Sequence, residues 1–217
     1  MSRPGLPQAR KGTLTKVWLR ALFWLLFGFR SYGKGNIPRE GPFLLASNHQ
    51  SYLDPVLVHL GQDRGVAFMA MEPLFRNRAF AALIRWWGGF PVDLERRDVR
   101  AMRTAMGLMG AGRGLVVFPE AGRSRDGRLM SMREGVAQLA LHAGAPIVPV
   151  RIEGMFKIWP AQRLLPKLAR PLHVHYGPPI LPPAGKLNGA ERRKAMADLM
   201  EAVGAFLENG SPDSSGG

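Results

Sequence analysis

The sequence has 217 residues and no cysteine, and this absence removes several kinds of chemistry. A chain without cysteine has no disulfide framework, no thiolate zinc site, no iron–sulfur cluster and no thiolate nucleophile. The Gly-x-Ser-x-Gly motif of serine hydrolases is absent too. With 46% hydrophobic residues, a chain of this length buries a sizeable core without crosslinks. We therefore expect one domain of ordinary size.

Acidic residues are scarce, since the chain has 30 Lys and Arg against 16 Asp and Glu and a net charge of +14. Residues 1–39 hold eight of the basic side chains and no acidic one. A surplus of this size predicts an anionic partner. Nucleic acid, anionic lipid and phosphorylated or CoA-linked substrates all meet that description.

The most apolar segment, residues 14–29, is too short to cross a bilayer. As a helix it would span roughly 24 Å, below the ~30 Å of a hydrocarbon core. No small-residue cleavage site follows it, so we do not expect a signal peptide. It is either a helix packed against the domain or an interfacial anchor with Trp18 and Trp24 at headgroup depth. We expect the anchor, which makes residues 1–29 a basic arm and an interfacial helix at the cytoplasmic face of the membrane.

From residue 42 onward, short apolar runs alternate with helical patterns. This alternation predicts a single α/β domain with a mostly parallel central sheet flanked by helices. The domain is expected to cover residues 30–208, with a disordered tail at 209–217. The predicted strands are 43–46, 66–69, 90–92, 115–118, 147–152 and 172–176, and the predicted helices are 55–60, 78–87, 98–109, 134–142 and one that includes 196–207.

Three patterns resemble sites without meeting their requirements. Residues 28–34 have the spacing of a phosphate loop, but Gly35 stands where Ser or Thr is needed. The glycines of residues 110–114 precede a strand, which favours a helix stop over a dinucleotide site. His173 and His175 share one strand face, but no Asp or Glu lies close in sequence, so we expect two partly exposed histidines and no metal site.

The most informative segment, residues 46–55, follows a strand and precedes a helix, where open α/β sheets bind ligands. A residue before proline avoids helical geometry, and proline favours the first helical position. Asp54 is therefore expected to be the N-cap of a helix that starts at Pro55. A turn that folds back onto this helix would let His49 meet Asp54. An imidazole held by a buried carboxylate is the arrangement of a general base.

A second strand end runs into residues 119–127, a loop that contains glycines and arginines. Arg123, Arg125 and Arg128 suit a phosphate clamp, because a guanidinium group binds phosphate through two parallel hydrogen bonds. A solvated charged loop is the alternative for this segment taken alone.

Together these segments resemble the glycerolipid acyltransferase family, which includes the 1-acylglycerol-3-phosphate acyltransferases. The sequence departs from the family pattern in two segments. Leu94 stands where the family has an arginine, and Ala121-Gly122 stands where it has Gly-Thr. The blocks that carry the resemblance, in order, are the His-x4-Asp motif at 49–54 and the segments 89–93, 118–124 and 146–150.

The resemblance implies acyl transfer from acyl-CoA or acyl-carrier protein to the hydroxyl of a lysophospholipid, with lysophosphatidate as first choice. It implies that His49 is the base and that Asp54 orients it. It implies no cofactor besides the acyl donor and no metal, and the missing cysteine favours direct transfer. An anionic membrane surface is the expected partner. The substrate-binding residues that it implies are Asn48, Glu120, Gly122, Arg123, Ser124 and Arg96.

Other acceptors stay open within this family, namely glycerol 3-phosphate, dihydroxyacetone phosphate, a lyso-ornithine lipid or another lysophospholipid. Two alternatives come from other classes: a non-catalytic membrane-binding relative and a nucleic-acid-binding module. The nucleic-acid module would need aromatic residues interleaved with the basic ones as stacking platforms, and the sequence lacks that pattern. We therefore expect no nucleic-acid partner.

Overall fold

A seven-stranded sheet lies at the centre of the computed structural model, which describes residues 13–93 and 98–210. The strands are β1 (Arg30–Tyr32), β2 (Phe43–Ser47), β3 (Val66–Met71), β4 (Gly89–Val92), β5 (Gly114–Val117), β6 (Ile147–Glu153) and β7 (His173–Tyr176). Their order across the sheet is β1-β7-β6-β2-β5-β3-β4. Neighbouring strands are parallel except for the antiparallel pair β6 and β7.

Helices cover both faces of this sheet. The α-helices of the described residues are α1 (Thr13–Phe27), α2 (Asp54–Leu60), α3 (Arg78–Trp86), α4 (Val99–Gly110), α5 (Gly135–Ala143), α6 (Met155–Ile158) and α7 (Gly189–Asn209). Helices α1, α2 and α3 contribute to the core on one face, and α4, α5 and α7 to the core on the other. The predicted α/β class, with a mostly parallel sheet flanked by helices, is confirmed.

Strand β2 shows why a continuous apolar run forms the centre of such a sheet. Phe43 and Leu45 belong to one core cluster, and Leu44 and Ala46 belong to the other. A strand covered by helices on both faces has no solvent side, so it does not alternate with polar residues. Gly114 of β5, which pairs with Phe43 of β2, has no room for a side chain, because a Cβ there would lie 2.2 Å from the Phe43 ring.

The predicted elements are present, with ends that shift by one or a few residues, and the exceptions have physical reasons. Pro91 lies in the edge strand β4, where a missing N–H costs no ladder hydrogen bond. Strand β1 was not predicted, because Arg30–Tyr32 has no apolar run and pairs only with the distant β7. Helix α7 continues to Asn209, one residue into the predicted tail. Residues 1–12 of the expected basic arm and residues 211–217 of the expected tail lie outside the described residues.

Helix α1 combines features of both interpretations given to it. Leu19 and Phe23 pack against the core and Phe27 is buried, so one face belongs to the domain. The opposite face is exposed, and within the described residues no helix is both long and apolar enough to cross a membrane. Its exposed apolar side chains are Leu14, Val17, Trp18, Leu22, Trp24, Leu25 and Leu26.

Polar contacts fasten α1 to the last residue of α2 and to the residues that follow it. The Arg20 guanidinium donates to the carbonyl oxygens of Leu60 at 2.5 Å and Gln62 at 2.9 Å, and it pairs with Asp63 at 2.7 Å. Burial, with Arg20 close by, lowers the pKa of Lys16 to about 8. Two basic residues of the N-terminal segment therefore contact the protein itself.

The sheet order decides where the functional loops meet. Strand β2 pairs in parallel with β5 on one side and with β6 on the other. The loops that leave the carboxyl ends of these strands therefore emerge side by side at one edge of the sheet. Ligands of open α/β sheets bind at that edge.

Candidate active site

The turn after β2 brings His49 and Asp54 together. Nδ1 of His49 lies 2.8 Å from Oδ2 of Asp54. The same oxygen accepts the backbone N–H groups of Gln50 at 2.5 Å and Ser51 at 2.7 Å. The Asp54 side chain is fully buried. Three converging donors fix both the turn and the imidazole, as expected for a carboxylate that orients a histidine.

The expectation that Asp54 is an N-cap is wrong. Helix α2 begins at Asp54, its N-cap position is held by Leu53, and no side chain caps it. The Asp54 carboxylate points back into the turn instead of forward to the N–H groups of its helix. The carboxylate accepts hydrogen bonds from the turn and the imidazole instead of capping α2. Without it, these donors would be buried without an acceptor.

His49 presents one ring nitrogen to a cavity. Because Asp54 engages Nδ1, Nε2 is the nitrogen left to accept a proton. The Phe118 ring stacks on the imidazole, with centroids 4.0 Å apart and planes 22° apart, and so limits its rotation. His49 lines the cavity and its side chain is 17% exposed. The geometry is that of a preoriented general base.

Glu120 connects the turn after β2 to the loop after β5. Its Oε1 accepts the N–H of His49 at 2.7 Å, and its Oε2 accepts the N–H of Met130 at 2.8 Å. Burial raises the pKa of Glu120, and these two hydrogen bonds oppose that rise. Both oxygens hold backbone, so the observed contacts give Glu120 a positioning role.

Ser124 and Asn48 are likewise engaged by the protein. The N–H of Ser124 donates to the carbonyl oxygen of His49 at 2.8 Å, and its hydroxyl accepts the N–H of Gly127 at 2.9 Å. The Asn48 amide donates to the carbonyl oxygen of Ile152 at 3.0 Å and accepts its N–H at 2.7 Å. These side chains hold the loops in place, and their predicted contacts with substrate stay predictions.

Arg123 is the predicted binding residue that faces the cavity with a free donor. Its guanidinium lies over the Tyr52 ring, 3.5 Å from the centroid, and its buried Nη1 has no hydrogen-bond partner. Arg133 also lines the cavity, and sequence analysis missed it because it lies beyond the glycine-containing loop. Arg125 and Arg128 are exposed and do not line the cavity. Of the three arginines expected to form the phosphate clamp, Arg123 is the one that lines the cavity.

Gly122 and Arg96 are the remaining residues that were predicted to bind substrate. Gly122 lines the cavity and has space around it, since a Cβ there would meet nothing closer than 4.0 Å. Ala121, where the family pattern has glycine, adopts a left-handed φ of 53°, which favours glycine. Arg96 lies outside the described residues.

The cavity beside His49 has a volume of about 700 Å³ and a mostly apolar lining. Its polar lining includes His49, Tyr52 and Arg123. Its apolar lining, from β3, α2, α3 and their surroundings, includes Leu53, Val56, Phe68, Met71, Leu74, Phe80, Leu83, Ile84 and Trp87. The polar lining residues can therefore hold a charged group, while the apolar ones suit a hydrocarbon chain.

The expectation of two partly exposed histidines is wrong for His175, which is buried. An acidic partner is also present, because Glu153 of β6 lies opposite His173 of β7. Nearness in sequence could not reveal this residue, since it comes from a strand twenty positions earlier in the chain.

A match to a protein-family model identifies the family of this chain. The model described as Acyltransferase matches residues 28–153, more than half of the chain, and the match includes both functional loops. The chain belongs to the acyltransferase family. The resemblance inferred from the sequence is thereby confirmed.

Individual relatives agree with this family. The chain is 31% identical over 153 residues to the chloroplastic 1-acyl-sn-glycerol-3-phosphate acyltransferase BAT2 of Brassica napus, a match covering 68% of this chain and 43% of that protein. It is 26% identical over 137 residues to a 1-acyl-sn-glycerol-3-phosphate acyltransferase of Bacillus subtilis, covering 63% of this chain and 68% of that protein. The chain thus spans less than half of the Brassica napus relative.

A solved acyltransferase has the same fold. The crystal structure of the 1-acyl-sn-glycerophosphate (LPA) acyltransferase PlsC from Thermotoga maritima matches with a TM-score of 0.70 and 30% identity. The match covers 89% of this chain and 78% of that one. The α/β architecture described above is therefore that of this acyltransferase.

We expect Glu120→Gln to destabilise the protein. A glutamine amide accepts hydrogen bonds through one atom only, so one of the two N–H groups held by Glu120 loses its acceptor. The free energy of unfolding should fall by about 1–3 kcal/mol, measured by urea denaturation. The exposed Glu134 supplies the matched control, and Glu134→Gln should change it by less than about 0.5 kcal/mol. Equal stabilities for the two variants would contradict the positioning role.

Proposed function

We propose that this acyltransferase transfers a fatty acyl group from an acyl-CoA or acyl-carrier-protein thioester to the free hydroxyl of lysophosphatidate, forming phosphatidate. The observation that carries the proposal is the His49–Asp54 pair beside a largely apolar cavity, which both His49 and Arg123 line. The relatives named as 1-acyl-sn-glycerol-3-phosphate acyltransferases support the choice of acceptor.

The chemistry needs one base and no covalent enzyme intermediate. Nε2 of His49 takes the proton of the acceptor hydroxyl as its oxygen attacks the thioester carbonyl carbon. The tetrahedral intermediate collapses, the carbon–sulfur bond breaks, and the imidazolium returns the proton to the departing thiolate. Buried Asp54 stabilises the imidazolium while it exists. The sequence has no cysteine to form an acyl-enzyme, which agrees with direct transfer.

The apolar cavity is the proposed place of the acyl chain. Its lining joins His49 to aliphatic and aromatic side chains such as Phe68, Leu83 and Trp87. A chain held there is removed from water and gains the free energy of burying its methylenes, about 0.8 kcal/mol each. Its carbonyl end would then lie beside the base.

The acceptor phosphate is proposed to bind Arg123. A buried guanidinium nitrogen without a partner is costly unless a ligand supplies an acceptor. Tyr52 supports the guanidinium from one side, which leaves its edge available for two parallel hydrogen bonds to phosphate. Arg133 adds a second positive charge at the cavity.

The central test is His49→Ala in a transfer assay with labelled acyl donors. The donors are acyl-CoA and acyl-carrier protein, offered with lysophosphatidate and other lysolipids. Losing the base should lower kcat by about 100-fold or more. The exposed His142 provides the control, and His142→Ala should keep the wild-type rate. Near-wild-type turnover by His49→Ala would refute the mechanism, and labelling of another lysolipid alone would refute the acceptor.

Arg123→Met tests the phosphate contact separately. We expect a KM for lysophosphatidate raised by about tenfold or more, because a charge-assisted contact is worth about 1.5–3 kcal/mol. The KM for a lysolipid acceptor that lacks phosphate should change little. Arg125→Met removes a neighbouring exposed arginine and should leave both values unchanged. An equal KM increase for both acceptors would contradict phosphate binding by Arg123.

We also propose that the protein binds the surface of an anionic membrane through α1 and the loop of residues 163–170. Leu164 is 92% exposed and Leu168 is 78% exposed, and neither has a packing partner in the core clusters. The loop adjoins α1, since Arg170 donates to the carbonyl oxygens of Leu25 and Leu26. Apolar side chains with basic residues beside them suit the boundary between headgroups and acyl chains.

Vesicle sedimentation tests this surface without removing α1, whose inner face belongs to the core. Trp18→Asp with Leu164→Asp should release most of the protein from anionic vesicles, since each change puts a carboxylate at the proposed interface. Leu181→Asp alters another exposed leucine elsewhere, at 72% exposure, and should sediment like wild type. Sedimentation unchanged in the double variant would refute the proposed surface.

A further inference from the structure

Three metal-ligating side chains meet on one face of the sheet, away from the cavity. His173 and His175 are two residues apart in β7 and so point to the same side. Glu153, the last residue of β6, pairs directly with His173 in the antiparallel register. None of the three lines the cavity beside His49. The cluster is therefore separate from the proposed acyl-transfer site.

Their spacing is that of ligands around one ion. One ligand atom from each residue lies within 4.8 Å of the other two. Nε2 of His175 is 3.4 Å from Oε2 of Glu153. Two ligands of a tetrahedral Zn²⁺, with bonds of ~2.0–2.2 Å, lie about 3.4 Å apart.

His175 is buried without the hydrogen bonds that burial normally requires. Its side chain is only 9% exposed, its Nδ1 has no hydrogen-bond partner, and its Nε2 has only the 3.4 Å contact with Oε2 of Glu153. A buried polar group without a partner is costly, so an ion at this point would satisfy it.

Neighbouring side chains hold these ligands in position. The Tyr32 ring stacks on His175, with centroids 4.9 Å apart, and meets His173 edge-on at 5.4 Å. Arg151 pairs with Oε1 of Glu153 at 2.9 Å and leaves Oε2 facing the histidines. Hydrogen-bonded outer partners of this kind orient metal-binding carboxylates and imidazoles.

We propose that Glu153, His173 and His175 bind a divalent transition-metal ion, with Zn²⁺ as the ion that fits best. Two imidazoles and one carboxylate form an established ligand set for zinc, and a water molecule takes the fourth position. The ion would fasten β7 to β6, the antiparallel pair through which β1 joins the sheet.

The experiment measures zinc binding by the full chain, purified without a histidine tag and stripped of metal with a chelator. Zn²⁺ is titrated against a chromogenic chelator, and bound metal is counted by mass spectrometry after dialysis. We expect one ion per chain. His173→Ala and Glu153→Gln should each weaken affinity by about tenfold or more, while His142→Ala should bind like wild type. Zinc should also raise the thermal unfolding midpoint of wild type and not of His173→Ala.

Several results would overturn the proposal. Wild-type protein that takes up no zinc at micromolar concentration would do so, as would equal binding by wild type and His173→Ala. Zinc binding lost in His49→Ala but kept in His173→Ala would place the ion at the proposed base instead. His173 is only partly buried, so His173→Ala keeps the test valid even if Glu153→Gln fails to fold.

Discussion

A single buried oxygen, Oδ2 of Asp54, organises the site. It accepts hydrogen bonds from the His49 ring and from the N–H groups of Gln50 and Ser51. The two backbone donors belong to the turn that His49 has to make after leaving β2. One carboxylate therefore closes the turn and fixes the imidazole at the same time. Four residues separate His49 from Asp54, which is the first residue of α2.

The pairing of β2 with β5 extends this local arrangement to a second loop. Because the strands are parallel neighbours, residues following their carboxyl ends lie side by side. Glu120 then reaches the N–H of His49, and Ser124 reaches its carbonyl oxygen. The backbone of the His49 turn is thus held by Asp54 from its own helix and by Glu120 from another loop. Preorganisation of this kind is what a general base requires, since a displaced imidazole loses its reach.

The positive charge of the chain has more than one task. Arg20 binds the carbonyl oxygens of Leu60 and Gln62, and Arg64 binds those of Pro38, Gly41 and Gly112. These arginines use their N–H donors on backbone carbonyl oxygens and so have fewer donors left for a ligand. Arg123, by contrast, keeps a buried donor without a partner. A net charge of +14 therefore indicates an anionic partner less directly than the position of one arginine does.

The sequence by itself determined the α/β class, the order of the elements and the pair His49 and Asp54, because apolar runs, helical periodicity and a short motif are local signals. It could not order the strands or reveal β1, which exists only through its pairing with β7. Only the tertiary structure decided three contacts. Asp54 accepts hydrogen bonds from the turn and not from its own helix, and Glu120 accepts hydrogen bonds from backbone N–H groups. Glu153 lies next to two histidines that are distant in sequence. Each of these contacts depends on which donors and acceptors the folded chain brings close in space, and local sequence patterns do not contain that information.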